Sequence, residues 1–367
     1  MAKLRTEEFL VNMGPHHPST HGVCRLVLTM DGEKVVHIEP VIGYLHRAIE
    51  KICENRTYPQ CSPMMDRFEY VTAMASDHVY ALAVEKLAGL EVPERAEYLR
   101  VIMVELNRIA SHLIFWGVTA MDVGAYTPFL YGLREREDII DLFEMTCGQR
   151  LTYNYIRIGG VSQDIPDEFV PKCREFMDKL WGKFADYEGL LNENPIWLVR
   201  TKGIGVLTAE KAIAFGASGP VLRASGVDYD VRRDDPYSIY DKFNFEIPTQ
   251  KNGDSYDRFI QRIDEMKASL RIIEQALDNL PEGDIKCKVK PKFKPPAGEV
   301  YSRIESARGE MGVYIRSDGS TKPVRVKLRG SSYNHLRLVP EIATDVLIAD
   351  LVTIFATLDI IMPEVDR

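Results

Sequence analysis

The chain has 367 residues, 45% of them hydrophobic, and a formal net charge of -8. That is enough apolar sequence for one large core or two closely packed ones, and the acidic balance argues against nucleic acid as a partner. No apolar run approaches the ~18–20 residues that span a bilayer, and the start, Met1-Ala2-Lys3-Leu4-Arg5-Thr6-Glu7-Glu8, has neither a signal-peptide core nor the acid-poor bias of a transit peptide. A cytosolic protein is expected, held at a membrane at most through partners.

The first informative stretch is Gly14-Pro15-His16-His17-Pro18-Ser19-Thr20-His21-Gly22, where three of the eight histidines fall within six residues. Pro15 and Pro18 remove backbone donors and favour extended geometry, so the segment is a loop, and strand-like residues follow from Val23 to Met30. Imidazoles on a proline-held loop suit proton transfer near neutral pH. A surface cluster without a role and a zinc site are the alternatives. His17 and His21 are four apart without the helix that makes such spacing chelating, which disfavours zinc.

Leu26-Val27-Leu28 and Val35-Val36-His37-Ile38 flank Asp31-Gly32, a strong hairpin signal. Helical spacing then runs over Asp66 to Leu90, and Pro93 opens a second helix toward Trp116. Thr127-Pro128 starts a third helix ending near Gly148, and a fourth covers about Pro166 to Leu191. Short irregular pieces follow from Gly203 to Asp235, then a long helix from Asp254 to Leu280. A Lys/Pro-rich link, Lys286 to Pro296, leads to a second β region, Glu299 to Leu328, and an apolar helix spans Ala343 to Leu358. The pattern predicts an α+β fold, a central helical bundle flanked by small antiparallel sheets from the N- and C-terminal regions. Its parts are an N-terminal β region with the histidine loop (1–65), a helical core (66–285) and a C-terminal β region with its closing helix (286–367), packed as one unit.

The six cysteines (Cys24, Cys53, Cys61, Cys147, Cys173, Cys287) form no C-x-x-C pair. They read as reduced, mostly buried thiols, and they argue against an iron–sulfur cluster on this chain. Gly203-Ile204-Gly205 lacks the third glycine of a dinucleotide fingerprint, which argues against nicotinamide binding here.

Longer motifs carry a resemblance. The histidine loop, Gly43-Tyr44-Leu45-His46-Arg47, Asp66-Arg67-Phe68-Glu69-Tyr70, Asp122-Val123-Gly124-Ala125, Thr127-Pro128-Phe129, Arg157-Ile158-Gly159-Gly160-Val161, Leu222-Arg223-Ala224-Ser225-Gly226 and Glu364-Val365-Asp366-Arg367 resemble, in order, the quinone-site subunit family of respiratory complex I. That family is similar to the large subunits of nickel–iron hydrogenases, the rival reading. A nickel–iron centre needs four thiolates from two C-x-x-C pairs. Here the early pair reads Tyr58-Pro59-Gln60-Cys61 and the tail after Asp359 has no cysteine, so the hydrogenase reading fails on its ligands.

The resemblance implies a hydrogenase large-subunit-like fold and a quinone headgroup site, with no redox cofactor on this chain. Electrons would come from an iron–sulfur cluster on a neighbouring subunit. Carried over by position, His21 and Tyr70 are the two donors to the quinone carbonyls, and Asp122 is the acid paired with the histidine. The chemistry agrees, since reducing a quinone takes two protons as well as two electrons. Arg47, Arg67 and Arg157 are candidates to face the cluster-bearing subunit, with salt bridges to nearby carboxylates as the plainer reading. Cys61 is a candidate pocket-lining thiol. Glu305-Ser306-Ala307-Arg308-Gly309-Glu310 recurs in both families, which suggests a structural role near the pocket. The implied partners are the iron–sulfur subunit, other peripheral-arm subunits and a membrane-arm quinone-channel subunit, at the cytoplasmic face of the cell membrane. The electron donor (NADH, ferredoxin or a deazaflavin) and the quinone type stay open.

Overall fold

In strand β2 (Arg25–Asp31) Leu26, Leu28 and Met30 alternate inward and are buried, the period of a half-buried strand. The computed structural model of the protein describes residues 7–17, 19 and 22–367. β2 pairs antiparallel with β1 (Phe9–Met13) and with β3 (Lys34–Val41). The β2–β3 turn lies one residue later than the sequence signal. Asp31 pairs with Lys34, and the loop residues are Gly32 and Glu33, with Gly32 at φ 62. A two-residue hairpin needs such a left-handed backbone, which glycine supplies.

Two short helices the sequence pattern did not reveal, α1 (Ile49–Cys53) and α2 (Tyr58–Met65), precede the bundle. Helices α3 (Ala73–Ala88), α4 (Glu94–Asp122), α5 (Tyr126–Cys147) and α6 (Phe169–Leu191) match the predicted series. The first begins later than its spacing suggested, because residues 66–72 form turns. A small hairpin, β4 (Ile156–Arg157) with β5 (Gly160–Val161), interrupts the helices. A short helix, α7 (Pro195–Thr201), precedes the stretch read as irregular, which contains α8 (Ala209–Ala214), α9 (Gly219–Ala224) and α10 (Val231–Asp234). The long helix is α11 (Ser255–Asp278), capped by the Asp254 carboxylate, which accepts from Asp257 N.

The second β region is an antiparallel sheet of β6 (Gly298–Ser306), β7 (Gly309–Ser317) and β8 (Arg325–Arg329). The closing helix is α13 (Ile348–Leu358), preceded by α12 (Ser332–Ile342), which the sequence pattern did not reveal, and followed by α14 (Met362–Asp366). The fold is α+β, as the pattern implied.

Helix α4 corrects one expectation. By length and composition it could cross a membrane, yet 89% of its apolar window is buried inside the chain. It lies among α3, α5, α11 and α13, and a helix buried on all sides by other helices is a core helix. A second apolar core joins the ends of the chain, with Leu26, Leu28, Met30 and Val35 of the first sheet meeting Val221, Leu336, Val339, Phe355, Met362 and Val365.

The helical core also buries a dense ionic network. Glu105 Oε2 contacts Arg108 Nε at 3.0 Å and Arg232 Nη1 at 3.2 Å, while Tyr240 donates to Glu105 Oε1 at 2.7 Å. Arg232 continues to Asp230 at 2.7 Å, and Arg223 joins Asp230, Glu265 (2.9 Å) and Glu305 (2.8 Å). Burial opposes charge on Glu105, but Arg108 and Arg232 outweigh it and hold the acid at about 2. Glu305 goes the other way. Burial and then Asp230 push it up to about 7.

Candidate functional site

One face of α4, Ile114, Phe115, Val118 and Thr119, forms the apolar wall of a cavity of about 240 Å³. Tyr70 and Val71 close it from the turn before α3, Ile361 from the segment before α14, and Arg308 and Asp359 supply its charge. Each element is there for a local reason. Arg308 occupies the two-residue tip between Ser306 and Gly309, so the β6–β7 hairpin drives a guanidinium into the core. That tip packs so closely on α9 that a Cβ on Gly219 would collide with Gly309. Asp359 ends α13 in a left-handed conformation, φ 55, which turns the chain back toward the cavity.

The turn holding Tyr70 is built by its neighbour. The Glu69 carboxylate accepts from Val71 N at 3.2 Å and Thr72 N at 2.8 Å. Those bonds replace the helical ones that the Asp66–Thr72 spacing suggested. Arg308 ties the turn to the cavity, with Nη1 at 3.1 Å from Glu69 Oε1 and Nη2 at 3.2 Å from Asp359 Oδ1. Arg262 lies 3.7 Å from the other Asp359 oxygen and stacks over Phe115 at 3.8 Å. Tyr70 is half-buried, and burial raises its phenol above the usual range although Arg308 pulls the other way. The phenol is therefore a protonated donor at neutral pH.

Asp122 is the last residue of α4, four positions after Val118, so it continues the cavity face by one turn. It is half-buried. His21 lies outside the described residues. Next to it, a Cβ built on Gly22 would meet the Met362 side chain at 3.8 Å, and Met362 adjoins the cavity residue Ile361. At the base of the histidine loop, Gly14 packs so tightly that a Cβ there would collide with the carbonyl of Cys24.

The arginine candidates divide. Arg67 donates to Pro63 O at 2.9 Å and reaches Asp66 Oδ2 at 3.3 Å, the plainer salt bridge. Arg157 is exposed, donates to Asn154 O at 3.2 Å and lines a separate groove with Lys286 and Lys290. Both act on Asp77, whose acid burial raises well above its usual range. Arg47 is exposed on the loop after β3. That loop is clasped by the closing motif, with Gly43 N and Leu45 N each donating to the Asp366 carboxylate at 2.8 Å.

Cys61 is not among the residues lining the cavity beside Tyr70. It is fully buried, donating to Cys53 O at 3.5 Å under α1, because α2 turns its small apolar side chain inward. Among the described residues there is no group of three or more His, Cys, Asp or Glu arranged to hold a metal. Glu69 and Asp359 are additions that sequence reasoning missed, and Arg308 sits in the cavity rather than merely near it. The recurring Glu305–Glu310 motif was the one signal for Arg308.

An apolar wall beside one phenol, one guanidinium and one carboxylate offers hydrogen-bond donors to a ligand that is otherwise apolar. The family profile described as "Respiratory-chain NADH dehydrogenase, 49 Kd subunit" matches residues 122–291 and 287–367. A subunit of the NADH-quinone oxidoreductase of Dehalococcoides mccartyi is 55% identical over 365 residues, 99% of this chain and 100% of its own length. The corresponding subunits from Clostridium beijerinckii and Bacillus anthracis are 51% and 50% identical, covering 100% and 99% of this chain and 99% and 100% of their own lengths. With the family profile and the whole-length identity in agreement, the chain belongs to the family of the 49-kDa subunit of respiratory-chain NADH dehydrogenase and is a subunit of the NADH-quinone oxidoreductase complex.

Proposed function

We propose that this chain supplies the quinone-reducing site of the complex, with Tyr70 and His21 donating hydrogen bonds to the two quinone carbonyls. Asp122 orients His21 and favours its charged form. Electrons arrive from an iron–sulfur cluster on the adjoining subunit, and Arg157 and Arg47 face that partner, while Arg67 keeps its salt bridge to Asp66. As negative charge builds on the ring oxygens, Tyr70 and His21 hand over the protons while Arg308 stabilises the charge. The chain binds no redox cofactor of its own. It works at the cytoplasmic face of the cell membrane, where a membrane-arm partner admits the quinone and the other peripheral-arm subunits complete a proton-translocating assembly.

The observation that carries this reading is the cavity itself: apolar walls on α4 with the Tyr70 phenol and Arg308 at one side. Tyr70→Phe tests it, since it removes one hydroxyl and almost no volume. Losing that hydrogen bond should cost ~1–3 kcal/mol, or about 5- to 150-fold in quinone reduction. Artificial acceptors that take electrons upstream of the cavity should be reduced at the wild-type rate. Equal loss with both acceptors would make Tyr70 a structural residue and move the site elsewhere.

A further inference from the structure

Lys286, Lys288, Lys290, Lys292 and Lys294 occupy every second position of the link between α11 and β6, and all five are exposed. The residues between them turn mostly toward the body. Cys287 and Val289 are half-buried, and after a bend at 291–292 Phe293 and Pro295 are buried. Among the described residues, none of the five lysines is paired with a carboxylate of this chain. By contrast, Lys34, Lys179, Lys211, Lys242, Lys267 and Lys327 each are. We propose that this lysine strip, with Arg157 in the groove beside it, is the docking surface for an extended acidic segment of a partner subunit. The inference goes beyond the quinone-site reading and does not depend on it.

The strip is held in place along its length. Lys286 forms a bridge with Gly160 of β5, Cys287 N donates to Gly159 O at 2.8 Å, and Val161 N donates to Ile285 O at 3.0 Å. The approach is close, since a Cβ on Gly160 would collide with Ile285 O. At the far end Phe293 stands edge-on to Tyr58 with ring centroids 5.9 Å apart, and Ser317 Oγ donates to Pro295 O at 3.4 Å. Alternate residues of an extended chain lie ~7 Å apart on one side, so these anchors fix a row of ammonium groups that repel one another. A loose tail would relax such repulsion by moving; a tied backbone needs an outside counter-charge. Glu85, near Cys287 on the inner side, is engaged by Arg100 at 2.6 Å. Glu282 and Asp284 precede the strip without pairing to it.

Shape and charge together select the occupant. The groove, of about 380 Å³, is lined by Pro59 and Ser62 of α2, by Asn154 and Arg157, and by Lys286 and Lys290 of the strip. Arg157 spends its Nε on Asn154 O, which leaves the terminal nitrogens of the guanidinium for a carboxylate. A flat bilayer surface would meet the lysine tips without entering this concavity. One extended chain can enter it and set carboxylates along the row at the same ~7 Å period. Duplex nucleic acid would be repelled by the rest of the chain, whose net charge is -8 even with the strip included. Membership of a multisubunit complex supplies the partner.

The test couples amines to carboxylates in the intact complex with a water-soluble carbodiimide, which joins only groups already in contact. Peptide mapping by mass spectrometry should find Lys286, Lys288 or Lys290 joined to Asp or Glu within a single segment of one partner subunit. The triple variant Lys286→Glu, Lys288→Glu, Lys290→Glu should weaken retention of that partner at least about 100-fold, because like charges then face each other. Raising salt should weaken the wild-type contact in the same direction. Reversing the coupled acids of the partner to lysine should restore binding to the triple variant, a rescue that a merely structural role of the strip would not give. The proposal is overturned if the strip couples only to acids of this chain such as Glu282 and Asp284. Acetic anhydride labelling of its lysines as fast in the intact complex as in the denatured one overturns it too. So does a triple variant that keeps its partners and loses affinity for phosphatidylglycerol vesicles, the mark of a lipid surface. If the triple variant fails to fold, coupling and labelling of the wild-type complex decide alone. Should Tyr70→Phe prove harmless, the quinone site fails and the strip is untouched.

Discussion

The ionic network in the helical core and the charged cluster at the cavity are made of the same parts, and they differ in access. In the core, the acids Glu105, Asp230, Glu265 and Glu305 outnumber Arg108, Arg223 and Arg232. At the cavity, Glu69, Asp359 and Glu364 outnumber Arg308 and Arg262. In each, one acid is pushed up to about 7, Glu305 in the first and Glu69 in the second. A buried cluster with a surplus carboxyl stays neutral by keeping a proton. Arg308 and Asp359 of the second line the cavity beside Tyr70, while the first meets a phenol, Tyr237, through the backbone of Glu305, and that ring lines a different cavity.

The most damaging way to probe the comparison is to break the sealed network. Glu105→Ala leaves Arg108 without its partner carboxylate and Arg232 with one fewer, both fully buried, and should cost about 3–5 kcal/mol. The chain should then be depleted from the assembled complex and its thermal midpoint should drop. A midpoint equal to wild type would mean that the network is structurally idle.

A middle-sized effect belongs to the cavity side. Asp122→Asn removes the charge proposed to favour protonated His21, so the imidazole loses its proton at a lower pH. The defect should therefore grow as pH rises, about tenfold for each unit by which the imidazole is lowered. Superimposable profiles for variant and wild type would separate Asp122 from His21.

The smallest effect is the sharpest contrast. Glu305→Gln should change quinone turnover by less than about twofold and leave its pH profile in place. Its signature is in stability. A carboxyl at about 7 when folded and about 4.3 when unfolded makes the folded state bind the extra proton between those values. Stability then falls as pH rises through that window, and Glu305→Gln should remove that part of the fall, read as unfolding midpoints at pH 5 and pH 8. A turnover profile altered by Glu305→Gln would show that the two clusters are not separate.

The sequence was most legible where structure is local. The Asp31-Gly32 signal marks the β2–β3 hairpin within one residue, and the apolar spacing marks α4, α6 and α11. It was least legible where prolines sit within helices, as Pro63 in α2 and Pro340 in α12, because the usual breaker is tolerated there. It also misread residues 66–72, whose apolar spacing is helical but whose amides are taken by the Glu69 side chain. At the site, Tyr70 and Asp122 came from motif resemblance. Asp359 had no motif of its own, and its pairing with Arg308 spans 51 positions, while that of Glu69 with Arg308 spans 239. Only tertiary structure brings them together.

The all-round burial of α4 has a consequence for how the protein is made. Its packing partners include α11 and α13, and α13 ends at Leu358, more than two hundred residues after the helix itself. At ~5–20 residues per second of synthesis, the nascent helix waits on the order of 10–50 s for the last of them. Throughout that interval the ribosome presents a segment with the length and apolarity of a membrane span. Until then the apolar faces that α4 buries in the folded chain lack the C-terminal partners they pack against.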